Sequence, residues 1–500
     1  MLKRISAVLI ALVVVLVSVV PAFAQSPYIG YYYDSWRNAV PSTAGYLPDE
    51  YYLGQDIEGV GAFEEPSDIV VDYENRIWVV DTGNNRLVCF DKDFNLIKII
   101  DHVIFKGEEQ PLNVPESMFI TEKGEMYIAD TGNSRVLRIN EETLVVDYSF
   151  EKPKTEMYEQ TDSFIPIKII VDSSDILYVL CRSVNKGFVT FDRKGTFLAY
   201  FGTINIKVTA EVISQAFWQN FMTEEQRDSV FLFSPIEYKS IDIDTEGFFY
   251  ATLVPEGEYG SNQMKKLNAK GTDILVQRRR NLLERSHTDI YFGDRALRRI
   301  KGATQKNQFI DVTVNEDCTA FFLLDQTHGK VFAYDEVCNL LYVFGGKGDQ
   351  KGLFDEPCAV EMIGTTIYVL DKRDGSITTF TPTTFGSLVH HAANLYNIGE
   401  YQAAIEPWKE VLQYNSNYEL AFVGLGDAEL ENHNYEAAME YFKLAQDPKG
   451  YEDAYKEYRS IWLKEHFGLI LWIIIALFVL LYVLPKVLKF IKKKKGGVKK

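Results

Sequence analysis

The chain has 500 residues, 47% of them hydrophobic and 14% aromatic, with a formal net charge of −18. That length exceeds what one hydrophobic core serves, so two or more domains are expected, and the apolar content argues against long disorder. The acidic surplus argues against nucleic acid as a partner.

Lys3 and Arg4 precede an apolar run over residues 5–20, then Pro21, Ala22, Phe23 and Ala24. A charged start, an apolar middle and an Ala-x-Ala site make residues 1–24 a signal peptide, so the mature chain begins at Gln25. An uncleaved anchor would export the body equally. Residues 25–45, rich in Tyr and interrupted by Pro41, read as a wrapping segment.

A six-residue turn then occurs twice. Asp81-Thr82-Gly83-Asn84-Asn85-Arg86 returns 49 residues later as Asp130-Thr131-Gly132-Asn133-Ser134-Arg135, each copy between two apolar runs. Two short strands meeting at a Gly/Asn turn, repeated at a period of roughly 40–50 residues, are the signature of a propeller blade. Six units follow from the openers Pro66, Pro115, Pro166, Pro235, Phe309 and Pro357, at intervals of 49, 51, 69, 74 and 48 residues. The two long intervals hold insertions. In four units an Asp closes the second strand: Asp81, Asp130, Asp325 and Asp371. The sixth unit stops after three strands at Pro382, and the run around residues 47–53 fits the vacancy, so the ring is expected to close through the N-terminal strand.

These units resemble NHL repeats, whose blades run from Pro through an apolar strand and Asp to a strand ending in an Asp-turn-Arg element. The resemblance covers about residues 46–382, strongest in the first two units. It departs in the third, where Cys181 stands for Asp, and in the fourth, where a Glu- and Gly-rich connection at 256–261 replaces the turn. It implies a mainly β fold, a six-bladed β-propeller over residues 46–384. Asp81, Arg86, Asp130, Arg135, Asp325 and Asp371 are read as structural blade turns, because a device repeated around a ring cannot serve one ligand. Some exported propellers resembling this family are lyases or lactonases that hold a metal in the channel. Here no unit repeats a His at the same place, His287 and His328 share only a face, and no GxSxG, phosphate loop or HExxH occurs. No catalytic residue, metal or cofactor is therefore assigned.

The five cysteines have no CxxC spacing. Cys318 and Cys338 flank one expected hairpin, and pairing Asp325 with Lys330 across its turn brings them close, so a disulfide between them is expected.

Both insertions are inter-blade links and share the face of the Asp-Gly-Asn turns. Residues 207–230 place Val212, Ile213, Ala216, Phe217 and Phe221 on one helical face. Residues 277–308 carry Arg278, Arg279, Arg280, Arg285, Arg295, Arg298, Arg299, Lys301 and Lys306 against Glu284, Asp289 and Asp294, a local charge of +6. Those seven arginines are the candidate binding residues, suited to carboxylate, phosphate or anionic polysaccharide. Arginines paired with the protein's own acids are the plainer reading.

Beyond residue 385 the period changes. Ala404 and Trp408 recur as Ala438 and Phe442, 34 residues later, within a pattern similar to two tetratricopeptide repeats over 385–452. A capping helix over 453–466 leads to an uncharged apolar run at 467–484, long enough to be a transmembrane helix. Eight lysines follow it in the 485–500 tail, which places the C-terminus in the cytoplasm and the body outside. Removing the leader's two basic residues and the eight tail lysines takes the net charge from −18 to −28. The resulting expectation is a single-pass cell-membrane protein whose extracytoplasmic propeller and helical stalk bind or scaffold partners. An accessory subunit of a transport or secretion complex, and a propeller lyase or hydrolase, are the alternatives.

Overall fold

The computed structural model describes residues 26–34, 36, 38–182, 184–203, 237–254, 262–275, 291–294, 299–300 and 303–496. The leader, the 207–230 insertion and all the insertion arginines but Arg299 lie outside them. The chain forms two compact units, Met1–Arg278 with Thr288–Asn397, and Arg279–His287 with Ile398–Lys500.

The first unit is a six-bladed propeller. Strand β1 (Tyr46–Leu53) precedes blade 1, formed by β2 (Asp68–Val71), β3 (Ile77–Asp81), β4 (Arg86–Phe90) and β5 (Leu96–Ile100). Blade 2 comprises β6 (Pro115–Ile120), β7 (Glu125–Asp130), β8 (Arg135–Asn140) and β9 (Val146–Phe150). Blade 3 comprises β10 (Pro166–Val171), β11 (Leu177–Cys181), β12 (Phe188–Phe191) and β13 (Phe197–Phe201). Among the described residues blade 4 has β14 (Tyr238–Ile243), β15 (Phe249–Leu253) and β16 (Met264–Leu267), so its inner strand opens at Tyr238 and the expected opener Pro235 lies outside the description. Blade 5 comprises β17 (Phe309–Val314), β18 (Ala320–Asp325), β19 (Lys330–Asp335) and β20 (Leu340–Gly345). Blade 6 comprises β21 (Pro357–Ile363), β22 (Thr366–Asp371) and β23 (Ser376–Pro382), with β1 as its outermost strand. The inner strands touch in a closed circuit, blade 6 returning to blade 1. The expected closure is present: β1 pairs antiparallel with β23 from Ser376↔Leu53 to Pro382↔Tyr46.

Each second strand is buried at nearly every position because both of its faces are covered, and the run leading to the Asp that closes it in blades 1, 2, 5 and 6 is apolar. In β3, Trp78 and Val80 pack toward blade 2, while Ile77 and Val79 pack toward blade 6. The core therefore lies between blades as a series of slabs, and the period-2 alternation of a one-sided sheet is lost there.

On the face opposite the Asp-Gly-Asn turns, the turn between first and second strands and the turn between third and fourth strands follow one rule in several blades. Asp72, Asp172 and Asp244 each accept backbone N–H groups two and four residues on, and Asp91, Asp192 and Asp335 do the same in the turn between third and fourth strands. These are Asx turns, and the chain returns through a left-handed residue such as Asn75, Phe94 or Gly247. Cys318 and Cys338 occupy that left-handed position in blade 5, with φ of 57° and 65°. Each is held by its own turn, and the expected disulfide is not formed: both thiols are free. Cys318 Sγ lies 3.1 Å from Thr245 Oγ1 of blade 4, and Cys338 is buried in the slab between blades 4 and 5.

Helix α1 (Thr384–Asn397) completes this unit. It packs on blade 5, where His390 Nε2 meets the Tyr342 hydroxyl and Asn397 Nδ2 donates to Asp335 Oδ2 at 3.2 Å. The chain thus leaves blade 6 on the face of the Asx turns.

The second unit is helical: α2 (Tyr401–Tyr414), α3 (Glu419–Glu431), α4 (Tyr435–Leu444), α5 (Pro448–Phe478) and α6 (Leu484–Gly496). Trp408 is fully buried against Gly424, where a Cβ would stand 2.2 Å from the indole nitrogen. Phe442 fills the space left by Gly426 and Gly450 in the same way. Asp447 caps α5, accepting from Lys449 N and Gly450 N, with Pro448 at the first helical position. From there one helix runs to Lys492, apolar and long enough to cross a membrane. Its π-helical segment Val479–Val483 precedes Pro485, which has no N–H for an ordinary helical bond.

Candidate functional site

The repeated turn acts as a clasp, and each of its letters has a contact. Asp81 Oδ1 accepts from Glu64 N in the link entering the blade, while Oδ2 accepts from Asn84 Nδ2 and from Arg86 Nε at 2.7 Å. Thr82 donates forward to the carbonyl of Pro115, the opener of the next blade, at 2.7 Å. Gly83 donates to Glu64 O, and a Cβ there would lie 2.5 Å from that oxygen; Asn85 supplies the left-handed turn. Blade 2 repeats the set with Asn113 N, Asn133 and Arg135 on Asp130, and Thr131 on Pro166 O. Asp325 holds Gln308 N and His328, and Asp371 holds Glu356 N and Asp374 N. The clasps join consecutive blades, and His328 is thereby engaged by a structural carboxylate. Asp130→Ala would leave the Arg135 guanidinium and the Asn113 amide without their buried acceptor. It is expected to cost about 3 kcal/mol, read as a lower denaturation midpoint at constant slope, with Asp130→Asn recovering part.

The channel along the axis holds a second set of residues. In blades 2 to 6 the ladder between first and second strands slips by one residue after the opener, at Pro115/Ser117, Pro166/Lys168, Tyr238/Ser240, Phe309/Asp311 and Pro357/Ala359. Such bulges re-aim the side chain that follows. With Asp68 of blade 1, these residues meet on the axis. Lys168 Nζ of blade 3 lies 2.7 Å from Asp68 Oδ1 and 3.6 Å from Asp311 Oδ1 of blade 5. Ser117 donates to Asp68 Oδ2 at 2.7 Å; Ser240 donates to Asp311 Oδ1 at 2.6 Å; Val360 N donates to Asp311 Oδ2.

Two residues further along each strand comes a second layer: Val70, Phe119, Ile170, Asp242, Thr313 and Glu361. Asp242 accepts from Ile243 N and Val314 N; Glu361 Oε1 accepts from Thr313 Oγ1 and Met362 N. Above this layer a cavity of ≈ 430 Å³ reaches the first-to-second-strand turns of blades 2, 3 and 4, including Thr121, Asp172 and Asp244. It opens on the Asx-turn face.

Burial governs titration here. It pushes the Asp242 carboxyl up to about 7, against a backbone hydrogen bond from Ile243 that favours the charge. It lifts Glu361 well above the carboxylate range, and the Asp242 charge adds to the rise. Asp68 is raised by burial in spite of Lys168. For Lys168 burial opposes the charge, yet the Asp311 and Asp68 carboxylates raise its pKa overall.

These shifts carry a sign. Asp242, at about 7, and Asp335, raised by burial to about 6, hold protons in the fold that the unfolded chain releases near pH 4. Their stabilisation is present below pH 4 and is lost as pH rises through 6 and 7. His390, lowered by burial to about 4, works the other way over pH 6.5 to 4. Stability is therefore expected to fall from pH 5 to pH 8, and Asp242→Asn to flatten that fall; denaturation at three pH values measures it.

Sequence reading missed the channel. Its signal lies two residues past the openers Pro66, Pro115, Pro166 and Phe309: Asp68, Ser117, Lys168 and Asp311, polar where an apolar strand was expected. Of the arginine cluster only Arg299 is described, in a two-residue strand paired with Ala303–Thr304.

The NHL repeat family matches residues 63–90, the end of the blade-1 link through β4. No curated protein matches the chain. Among solved structures, virginiamycin B lyase from Staphylococcus aureus is similar at 11% identity and a TM-score of 0.40, over 67% of this chain and 99% of that one. Kuenenia stuttgartiensis hydrazine synthase is similar at 9% identity and 0.40, over 66% and 99%. The Cps50 (Swd1) β-propeller domain of Myceliophteria thermophila is similar at 8% and 0.34, over 64% and 98%.

Proposed function

We propose that this chain is a membrane-anchored extracytoplasmic binding protein. Its propeller takes a ligand in the axial channel, and its helical segment, which we read as tetratricopeptide repeats, serves a protein partner. One observation carries the reading: the ≈ 430 Å³ cavity, open at one face and lined by apolar strand residues together with the channel groups Lys168, Asp242, Asp311 and Glu361 and the polar turns at its mouth. Ligand sites have that size. The apolar helix ending at Lys492 supports the anchor, and the lysines behind the span support a cytoplasmic tail. The arginine-rich 277–308 insertion is proposed as a separate surface for an anionic ligand.

The test is a pull-down from native membranes with the full chain, with the chain lacking residues 277–308, and with the chain lacking residues 401–447. Enrichment of a partner that depends on the helical segment supports the reading. Retention of every partner without 277–308 removes the insertion surface, and failure of the full chain to enrich any partner removes the scaffold role. Crosslinks confined to the membrane helix would instead make it a subunit of a transport or secretion complex.

A further inference from the structure

The second channel layer is divided by blade. Blades 1, 2 and 3 contribute Val70, Phe119 and Ile170; blades 4, 5 and 6 contribute Asp242, Thr313 and Glu361, and all of these but Thr313 line the cavity. Within this layer one contiguous half is apolar and the other carries two carboxyl groups, while Lys168 lies in the layer below and Lys123, Asp172 and Asp175 lie toward the mouth. Among the described residues no ion pair reaches either group, because Lys168 is taken by Asp68 and Asp311 in the layer below. The cavity rises from this layer to the open face.

We propose that the channel binds a small hydrophobic organic cation, its ammonium set between Asp242 and Glu361 and its apolar body along Val70, Phe119 and Ile170. The inference rests on the channel being a binding site, as proposed above, and names its ligand class. A neutral ligand would add no counter-charge to carboxyl groups whose partners are the neutral donors Ile243 N, Val314 N, Thr313 Oγ1 and Met362 N. A bare metal ion would make no use of the apolar half, and among the described residues no group of three or more His, Cys, Asp or Glu is arranged to hold one. An ammonium with an apolar body uses both halves, and Phe119 adds an aromatic side chain to the apolar side.

Proton linkage follows from the charged groups near Asp242, namely Asp311, Lys168 and Glu361. Burial keeps its carboxyl near 7, so an arriving ammonium displaces a proton around neutrality. Affinity for an amine that stays charged throughout should rise from pH 6 to pH 8.

The experiment is isothermal titration of the full chain in nanodiscs with 2-phenylethylammonium, with 2-phenylethanol as the neutral shape and with ethylammonium as the charge alone. We expect 2-phenylethylammonium to bind at least about tenfold more tightly than either, a difference of one decade in Kd. Asp242→Asn and Glu361→Gln should each weaken it by about tenfold, Phe119→Ser should also weaken it, and binding should be tighter at pH 8 than at pH 6. Equal binding of the alcohol overturns the proposal, as does unchanged affinity in the Asp242→Asn, Glu361→Gln double variant, or full displacement of the probe by calcium. The three-probe comparison needs no variant, so a variant that fails to fold leaves the test standing. If no probe binds while the pull-down still enriches a partner, the ligand class falls and the scaffold reading stands.

Discussion

Lys168→Met is expected to destabilise the propeller by about 3 kcal/mol, and by more at pH 8 than at pH 5. The substitution keeps the length of the side chain and removes a charge shared by two blades. Asp68 and Asp311 are only 1% and 3% exposed, and Lys168 stands 2.7 and 3.6 Å from them. Without it, their remaining donors are Ser117, Ser240 and Val360 N, which satisfy geometry and leave the charge uncompensated. The carboxyls then retain protons in the fold, and forcing them off as pH rises is what costs stability. Denaturant midpoints at the two pH values, followed through the buried Trp78, measure the effect. Adding Asp68→Asn should recover part of the loss, since the pair is then neutral on both sides. An unchanged midpoint in the single variant would show that the ring of polar residues holds no blade in place.

The contrast between what the sequence disclosed and what it hid follows from how each feature is encoded. The clasp is local: Asp, Gly, Asn and Arg fall within six residues, so their cooperation is visible as a motif, and its second copy announces the repeat. The closing strand was legible because blade 6 visibly lacked an outer strand and residues 47–53 had the right pattern. The channel is the opposite case. Asp68, Lys168 and Asp311 are 100 and 143 residues apart, and each alone reads as a polar residue on a strand. They gain meaning only when six first strands converge on one axis, and the bulge before Lys168 and Asp311 is a property of pairing, not of composition. The cysteines failed for a related reason. The register Asp325↔Lys330 was right, but both thiols sit at left-handed turn positions, where the backbone, not the pairing, decides where the side chain goes. The fourth opener, Pro235, lies outside the described residues, and the described strand begins at Tyr238.

Tyr46→Ala is expected to be the most damaging single change in the closing strand, at about 4 kcal/mol, while Tyr51→Ala, 39% exposed in the same strand, should cost less than about 1 kcal/mol. Tyr46 is 2% exposed, stacks on Phe344 with ring centroids 5.1 Å apart, meets Phe322 edge-on at 6.0 Å, and lies opposite Pro382 at the end of the ladder. Its carbonyl also accepts the Tyr28 hydroxyl, so the residue ties the wrapping segment to the ring. The loss should exceed that of an ordinary core truncation in one respect. Strand β1 is held to β23 across more than three hundred residues of chain, and weakening its anchor frees an entire strand and bares the backbone edge of β23. Two readouts separate this from simple cavity formation. Amide exchange should rise along Ser376–Pro382 in Tyr46→Ala and remain slow in β3 and β7, and the variant should self-associate with increasing concentration. A lower midpoint without either change would mean that Tyr46 fills space but does not close the ring.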